Sequence, residues 1–184
     1  MDSLACVDYS GDRHTDAIIK EAAPSAQLKT VNIHASNGDW FVFNPDKGRG
    51  KPPKMSPLLK VGEAHQHHRA CDAVIVVLKD GVLRIVFIEL KSGSPRAGDY
   101  VKQFQSTRQF SKYLLGLLGE FHELYFQEVE ERFILFHTGK TNKVLINKKP
   151  TSWSSKSSSS IDPKTPQKEL VNDGVTIYLK QLLA

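Results

Sequence analysis

The sequence predicts an α/β chain of the α+β kind, with a central mixed β-sheet that contains an antiparallel hairpin and is flanked by helices. Three observations predict it. In CDAVIVVLKDGVLRIVFIELKSG (71–93) two β-branched runs flank Asp80-Gly81, the strongest short signal for a hairpin turn. Both runs are apolar on both faces, as central strands are when helices cover them on each side. Residues 99–118 then carry Val101, Phe104, Phe110, Leu114, Leu117 and Leu118 as a helical stripe, followed by the strand-like RFILFHT at 132–138.

The remaining elements follow in chain order. HTDAIIKEAA (14–23) reads as a short amphipathic helix, capped by Thr15 or Asp12, with Ile18, Ile19 and Ala22 on its apolar face and Pro24 as its stop. DWFVF (39–43) reads as a strand, with Trp40 in the core. Residues 44–57, including KGRGKPPK, are a basic loop. The acidic stretch EFHELYFQEVEE continues helical after a break near Gly116 and Gly119. KVLIN (143–147) is offered as a partner for the 132–138 strand, and GVTIYLKQLL ends the chain as a strand or short helix. Residues 150–168 are rich in Ser, Pro and Lys and read as a loop or linker. The expected organisation is a core over 1–149, that linker, and a C-terminal element over 169–184 that packs on the core.

Composition excludes several classes. At 184 residues, 40% hydrophobic and 24% charged, the chain is neither disordered nor disulfide-dense. No apolar run reaches the roughly 18 residues of a membrane span, and the acidic, polar start is unlike a signal peptide. Cys6 and Cys71 are far apart and no CxxC occurs, which argues against a zinc ribbon or an iron–sulfur cluster. An intracellular protein is expected, cytoplasmic, or nuclear in a eukaryotic or viral setting, with no membrane partner. The net charge of +5 conceals blocks: −4 over 1–46, +8 over 47–112, −4 over 113–139 and +5 over 140–184. Local fields steer polyanions, so the 47–112 block is the place to look for a nucleic-acid surface.

That block contains a carboxylate pair. With Asp80-Gly81 as a two-residue turn, Lys79 opposes Val82 and Asp72 opposes Glu89, with Cβ atoms roughly 4.5–5.5 Å apart. Lys91, two residues beyond Glu89, points to the same face. Opposed like charges at the end of an apolar hairpin are destabilising, and a divalent cation with oxygen ligands is the simplest remedy. From Glu89-x-Lys91 alone, a salt-bridged strand end is the plainer reading; Asp72 in register points instead to a site.

These residues resemble the PD-(D/E)xK, or restriction-endonuclease-like, nuclease superfamily. Asp72 stands where that family's first acid stands, and Ile88-Glu89-Leu90-Lys91 matches its apolar-(D/E)-x-K strand; Cys71 replaces the proline. The resemblance covers roughly 60–113 and implies an αβββαβ core. Gln103 in the helix after the lysine strand is nearest the family's glutamine, while Gln109 to Tyr113 fits its QxxxY. A further acid is expected, Glu21 or Glu63, with Glu63 preferred. The resemblance implies Mg²⁺- or Mn²⁺-dependent phosphodiester hydrolysis. Asp72, Glu89, the Leu90 carbonyl and Glu63 would hold the metal, with Lys91 acting on the attacking water and Gln103 as a catalytic partner. The expected substrate is DNA, cut endonucleolytically, in a phage, mobile-element, junction-resolving or defence role. An RNA endonuclease of the cap-snatching kind and a catalytically silent nucleic-acid-binding module with the same fold are the alternatives. A homodimer is compatible, because double-strand cutters of this fold need two sites.

Lys51, Lys54, Arg69, Arg96, Lys102 and Arg108 surround the carboxylates in sequence and suit backbone-phosphate contacts. His65, His67 and His68 lack the spacing of a transition-metal site and read as a segment near phosphate; one of them, or His14, remains open as a site histidine. Trp153 is offered as a base-stacking residue.

Overall fold

The computed structural model describes residues 15–36, 39–47, 58, 60, 66–139 and 161–184. In order its elements are β1 (Asp16–Lys20), β2 (Thr30–His34), β3 (Asp39–Phe43), β4 (Ala73–Lys79), β5 (Val82–Lys91), α1 (Val101–His122), β6 (Val129–His137), β7 (Gln167–Leu170), β8 (Val175–Tyr178) and α2 (Leu179–Leu182). The predicted α/β, α+β class is what is observed: two helices and eight strands in two sheets among the described residues.

Asp80 and Gly81 both take left-handed backbone, φ 54° and 78°, as a tight primed turn requires. They close β4 on β5 with Lys79 opposite Val82 and Ala73 opposite Ile88, which is the register expected from the turn. β3 adds antiparallel to the outer edge of β4, with Trp40 buried as expected. On its other edge β5 pairs in parallel with β6, and β6 with β7, so β5 is the middle strand of the order β3-β4-β5-β6-β7. A parallel neighbour needs a crossover connection, and α1 supplies it. From β3 to β6 the succession is strand, strand, strand, helix, strand.

One face of this sheet lies against α1. Phe87 and Phe133 stack with centroids 4.8 Å apart, and Phe104 of α1 meets Phe133 edge-on at 5.5 Å. The other face departs from expectation. Instead of a second helical layer, a three-stranded sheet of order β1-β2-β8 covers it, with α2 at its side. The helix expected over 14–23 is largely strand β1, its start at His14 lying outside the described residues. With five residues in β1, a period of two buries Ala17 and Ile19 and leaves Ile18 exposed, and pairing with the β-branched β2 satisfies its backbone.

α1 is also longer than expected. It passes through Gly116 and Gly119 without a break and ends where Glu123 turns left-handed at φ 54°. Of the expected stripe only Phe104 is fully buried; Ser106, Thr107 and Ser111 share the inner face, where Ser106 and Thr107 seat the segment leading into β4. The helical reading of the acidic stretch holds only to His122, since Val129–Glu131 already belong to β6. The C-terminal residues form both a strand and a short helix: β8 pairs in parallel with β2, and Leu179 and Leu182 enter the core between the sheets. Residues 167–168 of the expected linker begin β7. KVLIN and Trp153 lie outside the described residues.

Candidate metal-dependent active site

The open end of the hairpin is assembled from four parts of the chain. Thr107 Oγ1 accepts the Cys71 backbone N–H at 2.9 Å, and the Ser106 hydroxyl donates to the His67 carbonyl, so α1 holds the segment that delivers Asp72. The 3-10 turn Gln66–His68 precedes it, with His68 buried. Asp72 lies one residue before the first β4–β5 pair and therefore opposes Glu89. Its Oδ2 accepts the Leu90 N–H at 2.6 Å. The Lys91 carbonyl accepts Thr138 N–H on the β6 side. By strand alternation the Leu90 N–H and carbonyl both face the opposite edge, toward Asp72, beyond the end of β4.

Glu89 is 1% exposed, with Phe87 below it on the same face. Its Oε1 accepts Gln103 Nε2 at 2.7 Å and pairs with the Lys91 ammonium. Its Oε2 is buried and has no hydrogen-bond partner among the described residues. The aromatic stack beneath seats the first turns of α1 so that Gln103, beside Phe104, meets the carboxylate. Gln103 Oε1 is likewise buried and unpartnered.

The electrostatics follow from burial. Burial pushes Asp72 up to about 7, against the Leu90 N–H, which lowers it; Glu21 adds to the rise and Lys91 opposes it. Burial, then the nearby Asp72, pushes Glu89 well above the ordinary carboxylate range, with Lys91 opposing. For Lys91 burial alone would lower the pKa, but Glu89, Asp72 and Glu21 outweigh it and raise it, so the ammonium stays charged. Burial, and next Glu89, push the Cys71 thiol up, leaving it a neutral core side chain.

Glu21 thus comes within electrostatic reach of Asp72, Glu89 and Lys91. It arrives in the β1–β2 loop, not on a helix. Its carboxylate caps Ala23 N–H at 2.9 Å, and the same loop is fastened to the end of β5 where Gln27 N–H and Leu28 N–H both donate to Ser92 Oγ. Glu63, the preferred further acid, lies outside the described residues, as do Lys51, Lys54, His65 and His14. Arg69, Arg96 and Lys102 are exposed near the open end in sequence. Arg108 donates from Nε to Glu131 at 2.7 Å and lies 6.0 Å over the Phe133 ring, which commits its guanidinium to the protein. Tyr113 is exposed and Ser111 buried, so the QxxxY face is turned from the carboxylates, and Gln103 is the glutamine that reaches them.

The donor set suits a hard cation with few protein ligands. Among the described residues no group of three or more His, Cys, Asp or Glu side chains is placed to hold a metal. What the end of the hairpin offers is two opposed carboxylates, one with a bare buried oxygen, and a backbone carbonyl beside them. Mg²⁺ is commonly bound in this way, by one or two carboxylates, with water and substrate phosphate completing the shell.

His137 was not singled out by the sequence. It lies opposite Lys91 in the β5–β6 register, which depends on how α1 returns the chain and has no local signal. The family models, the curated proteins and the solved structures with which the chain was compared contain no match to it.

Proposed function

We propose that this chain is a metal-dependent phosphodiesterase acting on nucleic acid, most simply a DNA endonuclease. The observation that carries the reading is Glu89: a carboxylate buried at the end of an apolar strand, opposite a second acid, with one oxygen held by Gln103 and Lys91 and the other bare. An unsatisfied buried polar atom costs about 1–3 kcal/mol, and more for a charged group, so the fold alone does not account for it. A cation between Asp72 and Glu89 would satisfy both acids.

Mg²⁺ or Mn²⁺ held by Asp72, Glu89 and the Leu90 carbonyl would supply Lewis-acid polarisation of a phosphoryl oxygen and lower the pKa of water. The protein's own groups do the rest. Gln103 and Lys91 fix Glu89 Oε1, which leaves the buried Oε2 as the oxygen available to a cation. The charged Lys91, 24% exposed, offers N–H donors to the negative charge that builds on an attacked phosphate. Glu21 adds negative potential that favours a cation. The exposed Arg69, Arg96 and Lys102 suit contacts to the phosphate backbone.

The test is to incubate the purified protein with duplex, branched and single-stranded DNA and with RNA, in Mg²⁺, Mn²⁺ or EDTA, beside Glu89→Ala and Lys91→Ala. Metal-dependent cleavage of DNA, lost in both variants, is expected. Cleavage of RNA alone replaces the substrate class. No cleavage of any substrate overturns the enzyme reading in favour of a silent binding module, and cleavage that survives both substitutions overturns the site.

A further inference from the structure

Next to the proposed catalytic residues, on the same face of the main sheet, is a pair of basic side chains to which the site described so far gives no role. His137 ends β6 directly opposite Lys91, and Lys168 on β7 opposes Leu135. Leu135 and Phe133 belong to the core beneath α1, so by alternation His137 and Lys168 lie on the α1 face with Glu89 and Lys91. Neighbouring strands are about 4.8 Å apart, so Lys91, His137 and Lys168 step outward from the carboxylates across β5, β6 and β7.

His137 Nδ1 is buried and has no hydrogen-bond partner among the described residues. Burial, then the charge of Lys168, lower the pKa of the ring against the Gly93 carbonyl, which raises it, so the two side chains are near enough to feel each other. Lys168 is exposed, lies 5.3 Å over the Tyr100 ring, and has no ion pair among the described residues. β5 and β6 both end at left-handed glycines, Gly93 and Gly139, each at φ 79°, joined by a Gly139 N–H to Gly93 carbonyl bond of 3.1 Å. These turns lead the chain away just past Lys91 and His137. The result is a shelf beside the carboxyl ends of β5 and β6 that carries the charged Lys91 and Lys168 with the His137 imidazole between them, near a usual place for an anionic ligand in α/β sheets.

We propose that His137 and Lys168 form a phosphate subsite that holds the nucleic-acid backbone beside the scissile bond, an inference that rests on the nuclease reading above. An imidazole N–H and an ammonium donate to non-bridging oxygens of one phosphate, and the strand then runs from the carboxylates toward β7. His137 and Lys168 are binding residues, and the chemistry remains with Glu89, Asp72 and Lys91.

The test uses the full chain with His137→Ala, Lys168→Ala and Lys168→Arg, each checked for folding by its thermal midpoint. Binding of a fluorescein-labelled 12-nucleotide single-stranded DNA is followed by anisotropy in EDTA at several salt concentrations. His137→Ala and Lys168→Ala are expected to weaken binding roughly tenfold each, with Lys168→Ala lowering the salt slope by about one and Lys168→Arg restoring it. In the cleavage assay the two alanine variants raise KM with kcat nearly unchanged. If the wild type does not bind the oligonucleotide, or if both alanine variants bind it unchanged, the subsite is overturned even where cleavage is seen. If the wild type binds with His137 and Lys168 dependence but cleaves nothing, the enzyme reading fails and the subsite stands.

Discussion

The β4–β5 hairpin carries a basic-to-acidic ion pair near each of its ends, and the two are built differently. Near the closed end Arg84 Nε donates to Glu130 at 2.8 Å, across to β6, with both side chains partly in solvent. At the open end Lys91 pairs along its own strand with a fully buried Glu89, beside a second acid. Both Arg84 atoms that meet Glu130 find a carboxylate oxygen, whereas Glu89 leaves one oxygen bare. A pair such as the first adds little stability and asks for no further explanation. The second leaves a desolvated acid incompletely satisfied, which is the feature that the proposed cation would complete.

The largest expected effect breaks the open end. Glu89→Gln should lower metal-dependent cleavage roughly a thousandfold, the scale of losing a group aimed at transition-state charge. Its urea midpoint should hold or fall slightly, because the amide keeps the shape of the acid but leaves the Lys91 ammonium without its carboxylate. A variant that cleaves at the wild-type rate would make the open end a structural ion pair like the closed one.

Next comes the metal. Mg²⁺ at a hundred times its dissociation constant should raise unfolding free energy by about 2.7 kcal/mol in the wild type and leave Glu89→Gln unmoved. Calorimetric scans with Mg²⁺ and with EDTA decide this, and an equal rise in both proteins would place the ion elsewhere.

The closed end can be broken too. Gly81→Val puts a β-branched residue at φ 78° and should cost about 1–2 kcal/mol in urea denaturation, while Arg84→Ala should cost at most about 1 kcal/mol. Neither should alter kcat by more than the change in folded fraction. A kcat loss in Arg84→Ala beyond that fraction would show the two ends to be coupled.

pH sharpens the contrast. Without metal, Asp72 holds its proton more tightly folded than unfolded, about 7 against 3.8. The native state therefore binds more protons across that window. This contribution to stability is complete below 3.8 and is lost as pH rises through about 7. Wild-type protein in EDTA should lose stability between pH 4 and 7 relative to Asp72→Asn. Parallel curves for the two proteins in urea melts would remove Asp72 from the buried set.

The hairpin, its register and the Asp72–Glu89–Lys91 face were legible because one turn type determines all of them over a short stretch. Gln103 came from the family resemblance, which expects a glutamine on the helix after the lysine strand. What was misread depended on distant partners. β1 looks helical on its own; its partner Thr30–His34, alternating T-V-N-I-H as a strand does, is what makes it extended. β2 in turn finds its second neighbour far along the chain, Val31 opposite Val175. Glu21 reaches the site through a loop, and His137 through a parallel register; neither position follows from local spacing. Burial of Ser106 and Thr107 on α1 breaks the apolar stripe because those hydroxyls anchor another segment.

One carboxylate of the second sheet bears on how the molecule is made. Asp173 Oδ1 accepts the backbone N–H groups of Lys29 and Thr30 at 2.8 and 2.7 Å, across 143 or more residues of sequence. During synthesis β1 and β2 can pair as soon as both are made, but the edge of β2 that receives β8 waits for residues 143 positions further along the chain. Closing so long a loop is slow compared with closing a hairpin. The nascent chain therefore passes through a stage in which the main sheet can form while the apolar inner face of β1 and β2 lacks its last strand, and that stage is where a chaperone or an aggregate would find it.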